Sequence, residues 1–355
     1  MKATLKPLFL LLFLCSFQLF SQEKQHYKIL TVAFYNLENL FDTEDDPLTF
    51  DEDRTPEGKD HWTEAIYKDK LRKMAYSISR IGKEQAQNSP VLVGLCELEN
   101  LRVLEDLVRE PVLQASNYGI IHYDSPDSRG IDVALLYQPQ YFVPKHSVSH
   151  ELVLFDSHSP EKRVHTRDPL VVSGFLEGEE IHLIVNHWPS RSGGVSASSY
   201  KREQAALLNK RIVDSLQAQD PYARIIVMGD FNDDPGSRSI QEILKPKTET
   251  DSLPLKSLYN PMAALHRKGI GSLAYRDSWN LFDQIMLTQP FLEKNFSTYQ
   301  FYKANIFNEN FLVTPEGQYK GYPFRSFGFG GYTGGYSDHF PVYIFLIKEV
   351  PSHPR

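Results

Sequence analysis

The sequence predicts a layered α/β domain with a mixed β-sheet, and three observations support this. The 355 residues are 41% hydrophobic, 12% aromatic and 23% charged, proportions that are typical of a folded globular protein. Short apolar runs rich in β-branched and aromatic residues alternate with segments that carry apolar residues at helical intervals. Several runs follow one another with no helix between them, so the strands cannot all be parallel. The composition excludes a disordered, fibrous or multi-span membrane protein.

The N-terminal half begins with a strand, a loop and a helix. Residues 29–35 form a continuous apolar run, predicted to be a buried strand, which ends at Asn36. Residues 42–60 are acidic, carry Pro47, Pro56 and Gly58 and lack apolar periodicity, so we expect a surface loop; their acids lack the spacing of a calcium-binding loop. Apolar residues at helical spacing predict a helix over 63–83, which Gly82 closes.

The same patterns continue along the chain with no linker, so we expect residues 22–355 to form one domain. Residues 305–336 are rich in Gly, Tyr and Phe without any period, which predicts an ordered aromatic loop beside a site. The remaining strands are predicted at 91–96, 131–137, 170–175, 181–186, 225–228, 282–287 and 342–347, and the remaining helices at 102–109, 198–217 and 237–244.

Residues 1–21 have the pattern of a secretory signal peptide. Lys2 and Lys6 precede an apolar run, 8–14, that is shorter than the roughly 20 residues needed to span a bilayer. Cys15 lacks the preceding small residues that lipoprotein processing needs. No later segment is long and apolar enough to act as an anchor, so we expect a protein without a stable membrane anchor, released to the periplasm or the medium.

Charge and cysteine content limit the partners of the exported chain. Removal of residues 1–21 takes away two lysines and no acids, which moves the formal net charge from −7 to −9. An acidic protein has no broad basic surface for polyanions, so a phosphate-bearing substrate must be held locally by a metal and a few cations. Only Cys96 then remains, so no intramolecular disulfide can form.

Polar residues at the ends of the predicted strands are the candidates for chemistry. Each alone is typical of a turn or a hydrogen-bonded structural residue, but together they form an oxygen-rich set with two histidines. Such a set favours Mg²⁺, Mn²⁺ or Ca²⁺ over zinc and suits phosphate-ester hydrolysis. The sequence lacks the motifs of serine hydrolases, nucleotide kinases and zincins. In order the residues are Asn36, Glu97, Asn186, His187, Asp230, Asn232, Asp283, Asp338 and His339.

These residues lie in motifs that resemble, in order, those of the endonuclease/exonuclease/phosphatase superfamily, the DNase I-like proteins. The resemblance spans about residues 29–347 and implies a four-layer α/β sandwich, in which two packed mixed β-sheets are flanked by helices. It also implies a hydrolase of phosphate ester bonds, here a secreted bacterial-type member. The motifs are Phe34-Tyr-Asn36, Gly94-Leu-Cys-Glu97, Arg129-Gly-Ile-Asp-Val-Ala134, Asn186-His-Trp188, Gly229-Asp-Phe-Asn232, Phe282-Asp-Gln-Ile285 and Ser337-Asp-His339.

The resemblance implies a catalytic group of five residues. Asp230 and Asn232 correspond to the pair that orients or deprotonates the attacking water and contacts the phosphate. His339, oriented by Asp283, and His187 correspond to the imidazoles that bind the scissile phosphate and stabilise the leaving oxygen. A carboxylate on one ring nitrogen fixes the tautomer of an imidazole and raises the basicity of the other nitrogen.

The resemblance also implies a divalent metal, Mg²⁺ or Mn²⁺ with Ca²⁺ as a further option. Glu97 corresponds to the principal metal ligand, with Asn36 and Asp338 completing or supporting the metal shell. Arg129 and Arg191 are candidate phosphate-binding arginines, because a guanidinium recognises phosphate in a bidentate manner. Cys96 stands before the metal-binding glutamate where family members usually carry Gln, which bears on the substrate and not on the metal.

The motifs do not determine which phosphate ester the protein acts on, so three hypotheses about its function stay open. The first is a secreted endonuclease or related phosphodiesterase that acts on extracellular DNA or RNA. The second is a phospholipid phosphoesterase of the sphingomyelinase type, or a sugar-phosphate phosphoesterase, with residues 311–336 as a membrane-touching or lid segment. The third, a non-catalytic binding member, is disfavoured because every metal and imidazole position is filled. No protein partner is implied, and we expect a monomer.

Overall fold

The computed structural model describes residues 26–157, 159–251 and 253–351. The predicted signal peptide, residues 1–21, lies outside the described residues, and it stays a prediction, as does the single domain over 22–355. Within the described part of the chain, no helix combines the length and the apolar character needed to cross a bilayer.

The described residues form strands β1 to β18 and helices α1 to α5. The strands are β1 (His26–Leu40), β2 (Leu92–Leu98), β3 (Gly119–His122), β4 (Asp132–Tyr137), β5 (Phe142–Ser149), β6 (Leu154–Phe155), β7 (Arg163–Val164), β8 (Leu170–Leu176), β9 (Glu179–His187), β10 (Ile225–Asp230), β11 (Leu258–Tyr259), β12 (Leu273–Tyr275), β13 (Ser278–Asn280), β14 (Asp283–Thr288), β15 (Gln300–Ile306), β16 (Phe327–Gly328), β17 (Gly331–Tyr332) and β18 (Val342–Val350). The helices are α1 (Glu64–Arg80), α2 (Lys83–Ala86), α3 (Leu101–Arg109), α4 (Val195–Gln219) and α5 (Met262–Arg267).

Two six-stranded sheets dominate the fold. The first has the order β15-β18-β1-β2-β4-β3 and the second β11-β14-β10-β9-β8-β5. Each contains one parallel pair, β1–β2 in the first sheet and β9–β10 in the second, among antiparallel neighbours. Both sheets are therefore mixed, which confirms the prediction.

Three apolar clusters divide the molecule into four layers. The central cluster lies between the two sheets and includes Phe34, Val185 and Met228. The second packs α1 and α3 on the outer face of the first sheet, and the third packs α4 on the outer face of the second. Burial on both faces explains why the central strands are continuous apolar runs. The order helix, sheet, sheet, helix is the four-layer α/β sandwich that the resemblance implied.

The eight predicted strands are all present, and the differences lie at edges and ends. Helix α1 ends at Arg80 because Gly82 adopts the left-handed region with φ of 69°. A π-helical turn, Ser239–Leu244, replaces the helix predicted over 237–244. The predicted aromatic loop, 305–336, begins inside β15. That strand was not predicted, and neither were β3 and β5, because most of their side chains are half-buried or exposed and form no apolar run.

Strand β1 continues well past its predicted end. Its pairing with β2 shifts register between Asn36 and Leu40, where Glu38 and Asn39 have φ values of 50° and 58°. This bulge bends the strand while Leu40 still pairs with Leu98. The interruption places Asn36 at the edge of the sheet where the parallel strands end.

The central layer gives a stability prediction. Phe34 is fully buried between the sheets, so Phe34→Ala should lower the free energy of unfolding by about 3–5 kcal/mol. Leu48, which is 89% exposed in the acidic loop, provides the control, and Leu48→Ala should change it by less than about 0.5 kcal/mol. Urea unfolding followed by circular dichroism measures both, and similar losses in the two variants would contradict this packing.

Candidate active site

The candidate site lies where the two parallel strand pairs end. β1 and β2 bring Asn36 and Glu97 to this edge, and β9 and β10 bring His187 and Asp230, which are direct neighbours in register. A Cβ atom at Gly229 would lie 2.5 Å from the backbone oxygen of its partner on β9, so a glycine is required for this close pairing. The carboxyl ends of parallel strands are a common place for ligand sites in α/β proteins.

The buried amide of Asn36 connects the two sheets. Its Nδ2 donates to Glu97 Oε1 at 3.2 Å and to Asp230 Oδ2 at 3.1 Å, while its Oδ1 accepts from the backbone N–H of Glu38 at 2.9 Å. In this arrangement the amide holds two carboxylates side by side, and its oxygen is already engaged. The role of Asn36 as a metal ligand stays a prediction.

His187 is a buried imidazole that faces both carboxylates. Its Nε2 lies 3.6 Å from Glu97 Oε1 and 3.7 Å from Asp230 Oδ2. Burial, together with the positive charges of Arg167 and Arg129, lowers the pKa of His187 well below its usual range. The ring is therefore neutral near pH 7 and has one N–H to donate.

His339 has the opposite protonation behaviour. Burial alone lowers its pKa, but the carboxylate of Asp283, whose Oδ2 lies 2.7 Å from Nδ1, raises the pKa well above its usual range. The hydroxyl of Ser272 donates to the same carboxylate oxygen and fixes its position. This confirms the predicted contact between Asp283 and His339, and it makes His339 an imidazolium near neutral pH.

Asp230 and Asn232 form the third part of the site. Burial raises the pKa of Asp230 to about 7, although the positive charge of His339 lowers it. Asp230 Oδ1 accepts from the backbone N–H of Asn232 at 2.9 Å, and Asn232 Nδ2 donates to the Trp188 oxygen at 2.9 Å. Asn232 has φ of 50°, a left-handed conformation that asparagine tolerates. One ligand atom each from Asp230, Asp283 and His339 lie within 4.8 Å of one another.

Asp338 enters the site from the loop that precedes β18. Its Oδ1 lies 4.0 Å from His339 Nε2, and its Oδ2 accepts from Arg325 Nη2 at 3.3 Å. Arg325 Nε also donates to Glu38 Oε1 at 3.3 Å, and Glu38 accepts the backbone N–H of Ser326. The structure thus connects Asp338 to the bulge in β1 through residues that the sequence analysis did not select.

Lys70 of α1 also belongs to this network. Its buried Nζ donates to the backbone oxygen of Tyr336 at 2.6 Å and to the Ser326 hydroxyl. Burial lowers the pKa of Lys70 to about 8, while the neighbouring Glu38 raises it; burial raises the pKa of Glu38 to about 7. A lysine on the apolar face of a predicted helix was the only signal in the sequence for this contact.

Two arginines lie beside His187. Arg129 is 47% exposed, with its Nε 3.4 Å from Asp127 Oδ1. Arg167 is buried, and it donates to Asp127 Oδ2 at 2.9 Å and to the Trp188 oxygen at 2.7 Å. Arg129 keeps donors accessible at the site, as a phosphate-binding role requires. Arg167 was missed because a single arginine before a strand looks like a surface residue.

Arg191 is engaged with the chain that follows β10. Its Nε donates to the backbone oxygen of Asn232 at 2.8 Å, and its Nη2 lies 3.2 Å from carboxylate oxygens of both Asp233 and Asp234. The guanidinium carbon also lies 4.2 Å from the centre of the Phe282 ring. As placed, Arg191 orders the segment that carries Asn232, and its phosphate-binding role stays a prediction.

The donor set fits a hard divalent cation. The carboxylates of Glu97 and Asp230 share one amide, and within the described ranges no lysine or arginine forms an ion pair with Glu97. Both carboxylates lie within 3.7 Å of His187 Nε2, and carboxylate oxygens are the ligands that hard divalent cations prefer. Cys96 contributes a sulfur within 4.8 Å of His187 and Asp230 ligand atoms, but burial raises its pKa well above the usual range, so the thiol stays protonated. Glu97, whose side chain remains partly accessible, and Asp338 are the predicted metal ligands, and this assignment stays a prediction.

A four-layer sandwich with carboxylates and two imidazoles at one edge is the arrangement that characterises DNase I-like proteins. The family model described as Endonuclease/Exonuclease/phosphatase family matches residues 31–348. The chain belongs to this family. Its members hydrolyse phosphate esters with divalent metals, so the protein is a hydrolase of phosphate ester bonds.

Solved structures agree with this fold. A family protein from Bacteroides thetaiotaomicron gives a TM-score of 0.53 at 16% identity, covering 94% of this chain and 99% of its own. A humanized D. rerio TDP2 gives 0.52 at 14% identity, covering 90% and 99%. The mannosyl-6-phosphatase of B. thetaiotaomicron VPI-5482 gives 0.51 at 17% identity, covering 89% and 99%. At these identities the likeness shows the fold alone. No curated protein sequence matches the chain.

The Asp283–His339 pair predicts a pH-dependent contribution to stability. The pKa of His339 is raised in the folded protein. The contribution of the Asp283–His339 pair to the free energy of unfolding is therefore fully present below the pKa of His339 in the unfolded chain, about 6.5, and is lost as pH rises through its pKa in the folded protein. Asp283→Asn should therefore lower the free energy of unfolding more at about pH 6 than at about pH 10. Urea unfolding at both pH values measures this difference.

Asp214 provides the control, because its pair with Lys210 lies on the exposed surface of α4. The small effect of Asp214→Asn should be similar at both pH values. A loss for Asp283→Asn that is equal at both values, or larger at high pH, would show that this carboxylate does not hold His339 protonated.

Proposed function

We propose that the protein is a divalent-cation-dependent phosphodiesterase that cuts nucleic acid, acting as an endonuclease on extracellular DNA or RNA. The observation that carries the proposal is the placement of two imidazoles at Asp230: His187 Nε2 lies 3.7 Å from its carboxylate, and His339, which contacts Asp283, has a ring nitrogen within 4.8 Å of it. Arg129, whose side chain is 47% exposed, and Glu97, which is partly accessible, offer a phosphate group contacts from the solvent side.

Each side chain has a distinct task in this reaction. Asp230, with a pKa of about 7, can accept a proton from the attacking water at neutral pH, and Asn232 orients that water and the phosphate. A cation held by Glu97 and Asp338 would polarise a phosphoryl oxygen. The neutral His187 donates its one N–H to a phosphate oxygen. The His339 imidazolium stabilises the charge that develops on the leaving oxygen and can donate its proton to that oxygen.

A small phosphate ester is the second candidate substrate. The formal net charge of −7 gives the protein no long-range attraction for a polyanion, whereas a small ester needs only local contacts. The mannosyl-6-phosphatase that shares this fold makes a sugar phosphate an appropriate test compound. A phospholipid is tested in the same way, because residues 311–336 carry the fully exposed Phe329.

We also propose that the protein acts in the periplasm or the medium as a monomer. The support is the pattern of residues 1–21, whose cleavage would release the chain. Cell fractionation and N-terminal sequencing of the exported protein test the location, and sedimentation tests the oligomeric state.

The decisive assay measures substrate choice and metal dependence together. Purified protein is stripped with chelator and assayed on supercoiled plasmid, single-stranded RNA, sphingomyelin and mannose 6-phosphate, with Mg²⁺, Mn²⁺ and Ca²⁺ restored separately. We expect nicking of the nucleic acid to return with metal. Hydrolysis of the lipid or the sugar phosphate, with nucleic acid untouched, would replace the proposal by the second candidate.

Single substitutions test the assigned roles. Glu97→Ala and His187→Ala should each lower turnover by about two to four orders of magnitude, because one removes a metal ligand and the other a phosphate contact. Asp214→Asn, on the exposed surface of α4, should leave turnover unchanged. Circular dichroism confirms that each variant is folded, and near-normal rates in either site variant would refute the assignment.

A further inference from the structure

A cleft of about 830 Å³ opens beside the candidate active site. One wall is the β12–β13 hairpin, and the other is the segment 314–333 that precedes Asp338. We call it the aromatic cleft, because six of the side chains that line it are aromatic. They are Tyr275, Tyr319, Tyr322, Phe324, Phe327 and Phe329.

Several of these rings are exposed to an unusual degree. Phe329 is fully exposed, Tyr275 is 61% exposed, and Tyr319 is also exposed. Large aromatic side chains are usually buried in the core, and a cluster of exposed aromatic side chains commonly marks a binding surface. The cleft therefore presents exposed ring surface at Phe329, Tyr275 and Tyr319, with the Arg276 guanidinium 5.2 Å from the centre of the Tyr275 ring.

The two walls are joined, so the cleft is formed before a ligand binds. The hydroxyl of Tyr322 donates to Asp277 Oδ1, and the backbone N–H of Asp277 donates to the same hydroxyl at 2.9 Å. The rings of Tyr319 and Tyr322 pack against each other with centroids 5.8 Å apart. A preformed site loses less conformational entropy when a ligand binds.

Both walls continue directly into the catalytic residues. The hairpin follows Ser272, whose hydroxyl holds Asp283 and whose backbone oxygen accepts from Phe340 at 2.7 Å. Asp338 lines the cleft, and Arg325 in the same lining donates to it. A substrate with its phosphate at His339 therefore has its neighbouring groups at the mouth of the cleft.

We infer that the aromatic cleft binds one or two unpaired bases of the strand that is cut, so that the enzyme prefers single-stranded or frayed nucleic acid. The inference rests on the proposed function. Flat rings stack on the faces of bases, and a base offers both faces only when it has left a duplex. The volume is in the range of sites that hold small planar groups, and Arg276 and Gln318 at the rim suit base edges better than an acyl chain.

A binding assay without catalysis tests this inference. Fluorescein-labelled hexathymidylate is compared, by fluorescence anisotropy in chelator, with a hexamer of equal charge whose bases are replaced by tetrahydrofuran. The protein is the full chain, as wild type and as the Tyr275→Ala, Phe329→Ala and Tyr222→Ala variants. Tyr222 is a matched control, because it is also 61% exposed but lies before β10, at the opposite end of that strand from Asp230.

We expect the wild type to bind hexathymidylate about tenfold or more tightly than the abasic hexamer. Tyr275→Ala and Phe329→Ala should remove most of that ratio, and Tyr222→Ala should keep it. Equal binding of the two hexamers, or no binding of either, would overturn the inference. It would also be overturned if the two cleft variants lose binding of mannose 6-phosphate and not of hexathymidylate, because the cleft would then hold a sugar.

The outcomes separate this inference from the proposed function. If base discrimination is absent while metal-dependent nicking of plasmid persists, the cleft inference fails and the nuclease assignment stands. If base discrimination is present while no nucleic acid is hydrolysed with any metal, the cleft binds bases but the proposed function fails.

Discussion

The hydrogen bonds of the Asn36 amide are the interaction on which the site depends. Glu97 belongs to the first sheet and Asp230 to the second, and one buried Nδ2 contacts both. The sheets pack through apolar side chains, which specify contact but not direction. The bulge in β1 supplies the backbone N–H that orients the amide, so an irregularity in one strand positions a contact between the two sheets. Carboxylate oxygens from both sheets thereby meet at one amide, and such oxygens are the ligands that hard divalent cations prefer.

The two histidines show how environment assigns opposite tasks to one residue type. His187 faces two carboxylates, but burial and the positive charges of Arg167 and Arg129 outweigh them, so its neutral form is favoured. His339 is equally buried, but it has a carboxylate on one ring nitrogen, so its charged form is favoured. Pairs of titratable groups with pKa values displaced in opposite directions are typical of acid–base sites. The arrangement gives the reaction a charged imidazole on the Asp283 side and a neutral one on the Arg167 side.

Much of the fold was predictable from the sequence, because the central strands are buried on both faces and read as apolar runs that end in polar residues. The predicted contact between Asp283 and His339 also follows from motif position. The edge strands β3, β5 and β15 gave no such signal, since all but the first residue of β5 and of β15 are half-buried or exposed. The contacts of Asp338 with Arg325, and of Arg325 with Glu38, join residues 13 and 287 positions apart, so no local pattern reveals them. The engagement of Arg191 with the loop after β10 is likewise a property of packing.

The buried ammonium group of Lys70 has a consequence for how the molecule can move. It ties a helix on the outer face of the first sheet to the backbone of the segment that ends in Ser337-Asp-His339. Lys73, one turn further along, contacts the Gly334 oxygen in the same way. The segment therefore cannot move away from the sandwich without exposing the Lys70 ammonium group or leaving it buried without its acceptors. Its opening is for this reason cooperative with the opening of α1. The wall of the cleft and the carboxylate of Asp338 are therefore expected to move together with α1. Hydrogen exchange of the backbone amides in that segment should be slow and should follow the local unfolding of the helix.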